Sequence, residues 1–179
     1  MRYTMTLTDA DLVLAPMEER HVSQEYVEWL NNPIVVAQTE QAGLRHTIES
    51  VRTYVASTLQ SPDAAMWRIL VAGTHVGNIR LSSIHPIHRR AGLGLIIGAA
   101  EARGKGVGSR AIGLATAHAF RVLNLNKVFA GMFAANEASR RAFEKAGFVL
   151  EGTLQRHAWH ESGFVDVHMM ARFRPLEAA

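Results

Sequence analysis

The chain has 179 residues, of which 48% are hydrophobic and 20% charged, proportions typical of a globular protein with a buried core. It contains no cysteine and carries a net charge of only +3, which excludes disulfides and zinc–thiolate sites and gives no indication of nucleic-acid binding. No apolar stretch is as long as a signal peptide or a membrane span, so we expect one soluble, cytoplasmic domain over residues 1–179 with no membrane partner.

The first half of the chain predicts a strand and two helices followed by antiparallel strands. Ser23 and Thr47 are typical residues to cap the two helices, and the alternating apolar pattern around Gly73 indicates a strand, a turn and a second strand. The predicted elements are a strand over 11–17, helices over 23–33 and 47–59, two strands over 67–84 and a strand over 91–98.

The second half predicts alternating strands and helices. Asn136 is placed to cap a short helix, and Gly147 lies just past its end. The predicted elements are helices over 109–123 and 136–148, a strand over 127–134 and a final hairpin of strands over 148–159 and 164–173. The fold class is therefore α/β (α+β), with a mixed, mostly antiparallel sheet of about seven strands flanked by about four helices.

The segment EARGKGVGSRA (residues 101–111) places three glycines at alternate positions between a predicted strand and a predicted helix. The first turn of a helix has unpaired N–H groups at the positive end of its dipole, and the two together favour phosphate. Arg103 and Lys105 add positive charge. The plain alternative is a tight strand-to-helix turn with no ligand.

Two nucleotide-binding motifs are compared with this loop. A P-loop requires Gly-Lys-Ser/Thr after its first glycine, which this chain lacks. Gly106, Gly108 and Ala111 fit a relaxed dinucleotide fingerprint, which would indicate an oxidoreductase. That fingerprint belongs to a parallel βαβ unit with an acidic residue about twenty positions further on, and neither condition is met here, so this alternative is the weaker one.

Two other motifs occur together and in order. Arg103-x-x-Gly106-x-Gly108 is followed, after a helix and a strand, by NEASRRAFEKAGF. The pair resembles the signatures of the GNAT superfamily of acyl-CoA-dependent N-acetyltransferases. The tail EGTLQRHAWHESGFVDVHMMARF resembles the branch of ribosomal-protein N-terminal and polyamine acetyltransferases. YVEWLNNP and VGNIRLSSIHPIHRRAGLGLIIG resemble members that acetylate amino sugars on nucleotide carriers.

The resemblance implies acetyl-CoA as cofactor. Backbone N–H groups of residues 103–108 would bind its pyrophosphate, and strand 93–97 would splay from strand 128–134 to admit the pantetheine arm. Asn136 and Ser139 would face that arm or the sulfur, although Asn136 is equally typical of a plain helix cap. The residues assigned to the cofactor are Ile96, Ile97, Gly98, Arg103, Gly104, Lys105, Gly106, Val107, Gly108, Ser109, Asn136, Ser139 and Phe143.

Acetyl transfer to an amine needs a polarised thioester carbonyl and an acceptor for the amine proton. Backbone N–H groups around residues 96–98 are candidates for the oxyanion hole. Many GNAT enzymes have a tyrosine in the second motif that protonates the leaving thiolate. Phe143 occupies that position here, so Ser139 is the candidate acid.

Three residues are candidates for the general base. Glu40 lies between the first two helices, where family substrates bind, and His88 enters the strand expected to line the cofactor. Glu101 precedes the glycine loop but is more typical of a solvated carboxylate, and His88 is equally typical of a turn histidine. No metal site is predicted from the histidine pairs at 85/88 and 157/160, because residues three apart on a strand face opposite sides.

The acceptor pocket is expected from residues 26–46 and the final hairpin. The first acceptor class is an amino sugar on a nucleotide, ahead of a protein or peptide N-terminus and a small amine. A non-catalytic acyl-CoA-binding module is the non-enzymatic alternative, and association into a homodimer is left open. The candidate pocket residues are Trp29, Glu40, Arg45, His46, Arg80, Trp159 and His160.

Overall fold

The strands of this chain form one open sheet in a computed structural model that describes residues 4–37, 39, 44–160 and 163–175. The sheet has eight strands within the described ranges, in the order β1-β2-β3-β4-β5-β6-β8-β7. The strands are β1 (Leu7–Asp9), β2 (Leu12–Pro16), β3 (Ala65–Val71), β4 (Thr74–His85), β5 (Arg90–Ile97), β6 (Lys127–Phe133), β7 (Val149–His160) and β8 (Gly163–Phe173). The helices are α1 (Gln24–Asn31), α2 (Pro33–Val36), α3 (Ile48–Gln60), α4 (Val107–Arg121) and α5 (Glu137–Lys145).

The β5–β6 pair is parallel, whereas every other neighbouring pair is antiparallel. It is also short, because only Arg90–Gly92 pair with Lys127–Phe129. Beyond Gly92, β5 continues along β4 as far as Ile97, and β6 continues along β8 as far as Phe133. The two strands therefore diverge into a V-shaped gap, which confirms the predicted splay.

Local signals in the sequence explain most element boundaries. The side chains of Ser23, Thr47 and Asn136 each accept a hydrogen bond from a backbone N–H in the first turn of the helix they cap. The β3–β4 turn places Ala72 and Gly73 at positive φ, as a tight hairpin requires. These predictions are confirmed, and so is the fold class.

Two elements were missed by the sequence analysis. The short strand β1 pairs with β2, which gives eight strands where about seven were expected. The predicted helix over 23–33 ends at Asn31 as α1, and Pro33 begins the unpredicted α2, which Asn32 caps by accepting from the Ile34 N–H at 3.0 Å. Proline suits this position because its missing N–H would have no helical partner there.

The helices cover both faces of the sheet. A Cβ placed on Gly108 of α4 would lie 3.6 Å from Leu95 Cδ1, so Leu95 faces α4. Arg80, paired with Gly94, instead contacts Tyr54 of α3. Because successive side chains alternate along a strand, α4 and α3 lie on opposite faces. None of the described helices has both the length and the apolar character to cross a bilayer.

Candidate active site

The glycine loop presents a run of unpaired donors at the start of α4. Gly104 and Gly106 have φ of +73° and +79°, which side-chain-bearing residues rarely adopt. Within the described chain, the N–H groups of residues 104–109 form no hydrogen bond, and the first helical bond is from Arg110 N–H to the Gly106 carbonyl at 3.1 Å. Such a run of donors at a helix N-terminus favours an anion.

Arg103 braces this loop. Its backbone N–H donates to the Ala100 carbonyl at 3.2 Å, so it is not among the free donors, which corrects the expectation that the donor run begins at residue 103. Its side-chain Nη2 donates to the Gly98 carbonyl at 2.9 Å in a partly buried position. Arg103 therefore links the end of β5 to the loop.

Replacing Arg103 by methionine is expected to weaken acetyl-CoA binding about three- to tenfold, because one partly buried hydrogen bond contributes about 1 kcal/mol. The apolar stem and its packing are retained by this change. Isothermal titration with acetyl-CoA measures the effect, and Lys105→Met, which removes an exposed cation from the same loop, is the control for charge alone. Equal losses of acetyl-CoA affinity in the two variants would show that the Arg103–Gly98 hydrogen bond does not support the loop.

The first turn of α4 is also fixed from outside the loop. The Arg110 guanidinium donates to the carboxylates of Asp9 and Asp11 at 2.8 and 2.9 Å. Ser109 Oγ donates to the Gly106 carbonyl at 2.9 Å. The helix start is thus held against the β1–β2 hairpin, which leaves the loop donors on a rigid element.

Among residues 96–98 at the end of β5, one N–H faces the V-shaped gap. The N–H groups of Gly98 and Ala99 both donate to the Val76 carbonyl at 3.0 and 3.1 Å, so Gly98 is not available to an oxyanion. The Ile96 carbonyl lies against Gly77 of β4. Since backbone groups alternate sides along a strand, the N–H of Ile97 faces the gap. The candidate oxyanion donor is therefore the N–H of Ile97. This assignment is narrower than the sequence-based expectation, which included residues 96–98.

The second motif forms the start of α5. Asn136 Oδ1 accepts from the Ser139 N–H at 3.0 Å, which is a helix cap, and Ser139 is half-buried in the first turn. Phe143 is only 2% exposed and packs against Phe148 with 4.9 Å between ring centroids. Phe143 therefore belongs to the core, and its assignment to the cofactor is corrected, because a side chain buried this deeply leaves almost no surface for a ligand.

A cavity of about 480 Å³ lies on the α3 face of the sheet, beside the end of β5. Arg80 Nη1 donates to the Tyr54 hydroxyl at 2.7 Å, and its guanidinium carbon lies 5.5 Å from the Tyr54 ring centroid. None of the described lining residues carries a carboxylate. The lining residues are Tyr26, Leu30, Thr39, His46, Ser50, Val51, Tyr54, Met66, Asn78, Ile79, Arg80, Gly94, Leu95 and Ile96.

The cavity contains some of the predicted pocket residues but not others. His46 and Arg80 line it as expected, whereas Arg45 is exposed outside it. Glu40 lies outside the described residues. Trp29 is only 6% exposed and packs on Gly98 behind the cavity, so its assignment to the pocket is corrected. Its position on the apolar stripe of α1 turns the indole inward.

The two predicted pocket residues of the final hairpin do not line the cavity. His160 Nε2 lies 2.6 Å from the carbonyl of Ala37, the residue that follows α2. Trp159 points to the other face of the strand and packs edge-on against Phe164 at 5.0 Å, with 62% of its surface exposed. Trp159 is therefore not part of the cavity.

Two of the predicted bases, His88 and Glu101, do not line the cavity. His88 is exposed in the β4–β5 turn, where its N–H donates to His85 Nδ1 at 3.1 Å. The eight residues of β5 separate this turn from Ile97 by roughly 23 Å. His88 is therefore wrong as a base. Glu101 is exposed in the short 3-10 turn before the loop, as a solvated carboxylate would be.

Tyr54 is a cavity residue that the sequence analysis missed as a pocket group. It follows Val51 by one helical turn on α3, and both residues line the cavity. The sequence signal is a tyrosine on the apolar side of a helix, where its ring packs and its hydroxyl needs a partner. Only the sheet register shows that this partner is Arg80.

The sequence of this chain is similar to those of known acetyltransferases. The family description "Acetyltransferase (GNAT) domain" matches residues 11–149. Spermidine N(1)-acetyltransferase of Escherichia coli K12 is 39% identical over 82 residues, covering 46% of this chain and 44% of that protein. The matched region spans about half the length of that relative. The uncharacterized N-acetyltransferase YoaA of Bacillus subtilis is 28% identical over 97% of this chain and 92% of its own length.

Solved structures share the fold over nearly the whole chain. RimL, a ribosomal L7/L12 alpha-N-protein acetyltransferase crystallised with coenzyme A, has a TM-score of 0.85 at 20% identity, covering 94% of this chain and 98% of its own. Spermidine N-acetyltransferase from Vibrio cholerae, in complex with CoA and spermine, has a TM-score of 0.82 at 23% identity, covering 92% and 96%. At these identities the likeness concerns the fold alone.

Proposed function

Because this chain belongs to the GNAT acetyltransferase family, we propose that it transfers the acetyl group of acetyl-CoA to a primary amine by direct attack. The observation that carries this proposal is the run of free N–H groups over residues 104–109, placed beside the gap between β5 and β6. The loop donors suit a pyrophosphate, and the Ile97 N–H suits the thioester carbonyl. The cytoplasmic setting stays a prediction.

The leaving group needs little help from the protein. A thiol has a pKa of about 8.5, so its thiolate leaves readily near neutral pH. Phe143 is buried and has no proton to give. Ser139, in the first turn of α5, remains the proposed group for any hydrogen bond to the departing sulfur. We therefore expect weak dependence on a general acid.

The cavity supports an anionic acceptor, and we propose an amino sugar on a nucleotide carrier. Arg80 places a guanidinium on the cavity wall, and no described lining residue offers a carboxylate to a polycation. A guanidinium binds phosphate well and repels an ammonium chain. A polyamine or a protein N-terminus is the second candidate, favoured by the names of the relatives.

Arg80→Gln is expected to lower kcat/KM for a nucleotide-linked amino sugar about tenfold, because a charged hydrogen bond contributes about 1.5 kcal/mol. The same variant is expected to leave turnover of spermidine unchanged or faster. Thiol release from acetyl-CoA measures both rates. Arg52→Gln, which removes an exposed cation from α3 outside the cavity, is the matched control.

The same assay separates the alternatives. Greater turnover of spermidine or of a peptide N-terminus than of the sugar nucleotide would reject the anionic acceptor but retain the transferase. Acetyl-CoA binding without thiol release to any of the three amines would indicate a non-catalytic acyl-CoA-binding module. If the protein binds NADH but does not bind acetyl-CoA, the glycine loop is a dinucleotide-binding motif and the oxidoreductase hypothesis is supported.

A further inference from the structure

We propose that His46 is the general base of this enzyme, an inference that rests on the proposed function. His46 was expected only to contact the acceptor. It lies directly before α3 and lines the same cavity as Arg80 and Tyr54. Three observations carry the assignment: the way its backbone is held, the exposure of its ring nitrogens, and the titratable groups around it.

The backbone of His46 is clamped by one side chain of α1. Asn31 Nδ2 donates to the His46 carbonyl at 2.8 Å, and the His46 N–H donates to Asn31 Oδ1 at 2.8 Å. The amide of Asn31 therefore pairs with His46 as a second backbone strand would. This clamp fixes the position of the imidazole on the cavity wall, as a proton acceptor requires.

The two ring nitrogens of His46 have different surroundings. Nε2 is out of contact with solvent and makes no hydrogen bond within the described chain. Nδ1 makes no hydrogen bond among the described residues and keeps contact with solvent, so it is the ring nitrogen available to an acceptor. A neutral imidazole with its proton on Nε2 then offers a lone pair at Nδ1.

The other titratable groups lining the described cavity cannot accept this proton. Burial raises the pKa of Tyr26 on α1 far above its ordinary value, and the neighbouring Tyr54 raises it further, so Tyr26 keeps its proton. Arg80 on β4 is permanently charged. The Tyr54 hydroxyl on α3 accepts a hydrogen bond from Arg80. His46 is the one described lining residue whose neutral side chain offers a nitrogen lone pair.

A second half-buried histidine, His75, is not placed for this role. His75 packs edge-on against Trp29 with 5.1 Å between ring centroids, behind the cavity. Its Nε2 lies within hydrogen-bond distance of the Gly77 carbonyl at 3.0 Å and of Asn78 Oδ1 at 3.1 Å. His75 does not line the cavity, so it has no path to an acceptor amine.

Two protons leave the acceptor nitrogen in the proposed step. The acceptor ammonium gives one proton to His46 Nδ1, and the neutral amine attacks the thioester carbonyl carbon, whose oxygen accepts from the Ile97 N–H. The C–N bond forms, and the C–S bond breaks with its electron pair going to sulfur. The thiolate takes the second nitrogen proton, which gives the amide and free CoA. The imidazolium of His46 then releases its proton to solvent.

His46→Gln is expected to lower kcat about 100-fold, the usual size of a general-base contribution, while the KM for acetyl-CoA stays unchanged. The wild type should lose activity at acidic pH, because a protonated imidazole accepts no proton, and the variant should lose this acidic limb. His88→Gln, the same change in the exposed β4–β5 turn, is the matched control and should behave as wild type. Acetyl-CoA binding by calorimetry shows that the variant is folded.

Two further variants test the alternatives, which are a purely structural role for His46 and Glu40 as the general base. Added imidazole should restore part of the activity of His46→Ala, which a purely structural role would not allow. If Glu40→Gln instead removes the acidic limb and His46→Gln retains it, the base is Glu40 and this proposal is overturned. Wild-type protein that binds acetyl-CoA but acetylates no amine would instead refute the proposed function, whatever the variants do.

Discussion

Valine at position 106 is expected to weaken acetyl-CoA binding about 100-fold or more, equivalent to about 3 kcal/mol. Gly106 caps α4 with φ of +79°, a region that a β-branched residue adopts only under strain of about 1–2 kcal/mol. Relief of that strain would rotate the peptide groups on either side and redirect the free N–H groups of the loop. The loss of one or two hydrogen bonds to a charged phosphate accounts for the remainder. Isothermal titration measures the change.

The matched control for Gly106→Val lies in the same helix. Gly113 has an ordinary helical backbone and no atom within 4 Å of an added Cβ, so Gly113→Ala should leave acetyl-CoA binding unchanged. It should also raise the free energy of unfolding by up to about 1 kcal/mol, since alanine favours a helix over glycine. Unchanged binding in Gly106→Val would show that the loop does not contact the pyrophosphate.

Alanine at position 98 is expected to lower the free energy of unfolding by about 1–3 kcal/mol, the usual cost of overpacking a core. A Cβ there would overlap the indole ring of Trp29, which is packed directly on the Gly98 backbone. Either α1 must move away or β5 must shift at its end. Acetyl transfer should fall as well, because the shift displaces Ile97 from the gap. Urea unfolding and thiol release measure the two effects.

A second substitution tests the cause of this loss. Replacing Trp29 by leucine removes the overlapping ring atoms, so Gly98→Ala should cost less in the Trp29→Leu background than in wild type. Gly94→Ala is the control on the same strand, because a Cβ at residue 94 meets no atom within 4 Å. Additive losses in the double variant would show that the damage arises elsewhere than at this contact.

The sequence predicts the parts of this fold that depend on local chemistry. Helix caps such as Ser23 and Asn136 depend on a side chain two or three residues from its partner, so a short window contains the whole interaction. Glycines at positive φ, such as Gly106, are also local. The helix caps were predicted without knowledge of the tertiary structure, whereas the glycine loop was predicted only as a segment that favours an anion.

The parts of the site that were missed depend on distant segments. His88 was placed near the cofactor because it enters the right strand, but only the direction of β5 shows that it lies at the far end. The same holds for the clamp between Asn31 and His46, and for the contact of Tyr54 with Arg80. Each joins residues fifteen or more apart, and no local pattern specifies such pairs.

The short parallel joint divides the sheet mechanically into two arms. Strands β1–β5 form one arm and β6–β8 the other, and in the described sheet the two arms share three ladder pairs, Arg90–Gly92 with Lys127–Phe129. At the closed end, the Arg89 guanidinium joins the arms by donating to the carbonyl and side-chain oxygens of Asn124 at 2.7 and 2.8 Å. The separation of Ile97 and Phe133, at the open ends of β5 and β6, therefore depends in part on contacts made at the opposite end of the sheet.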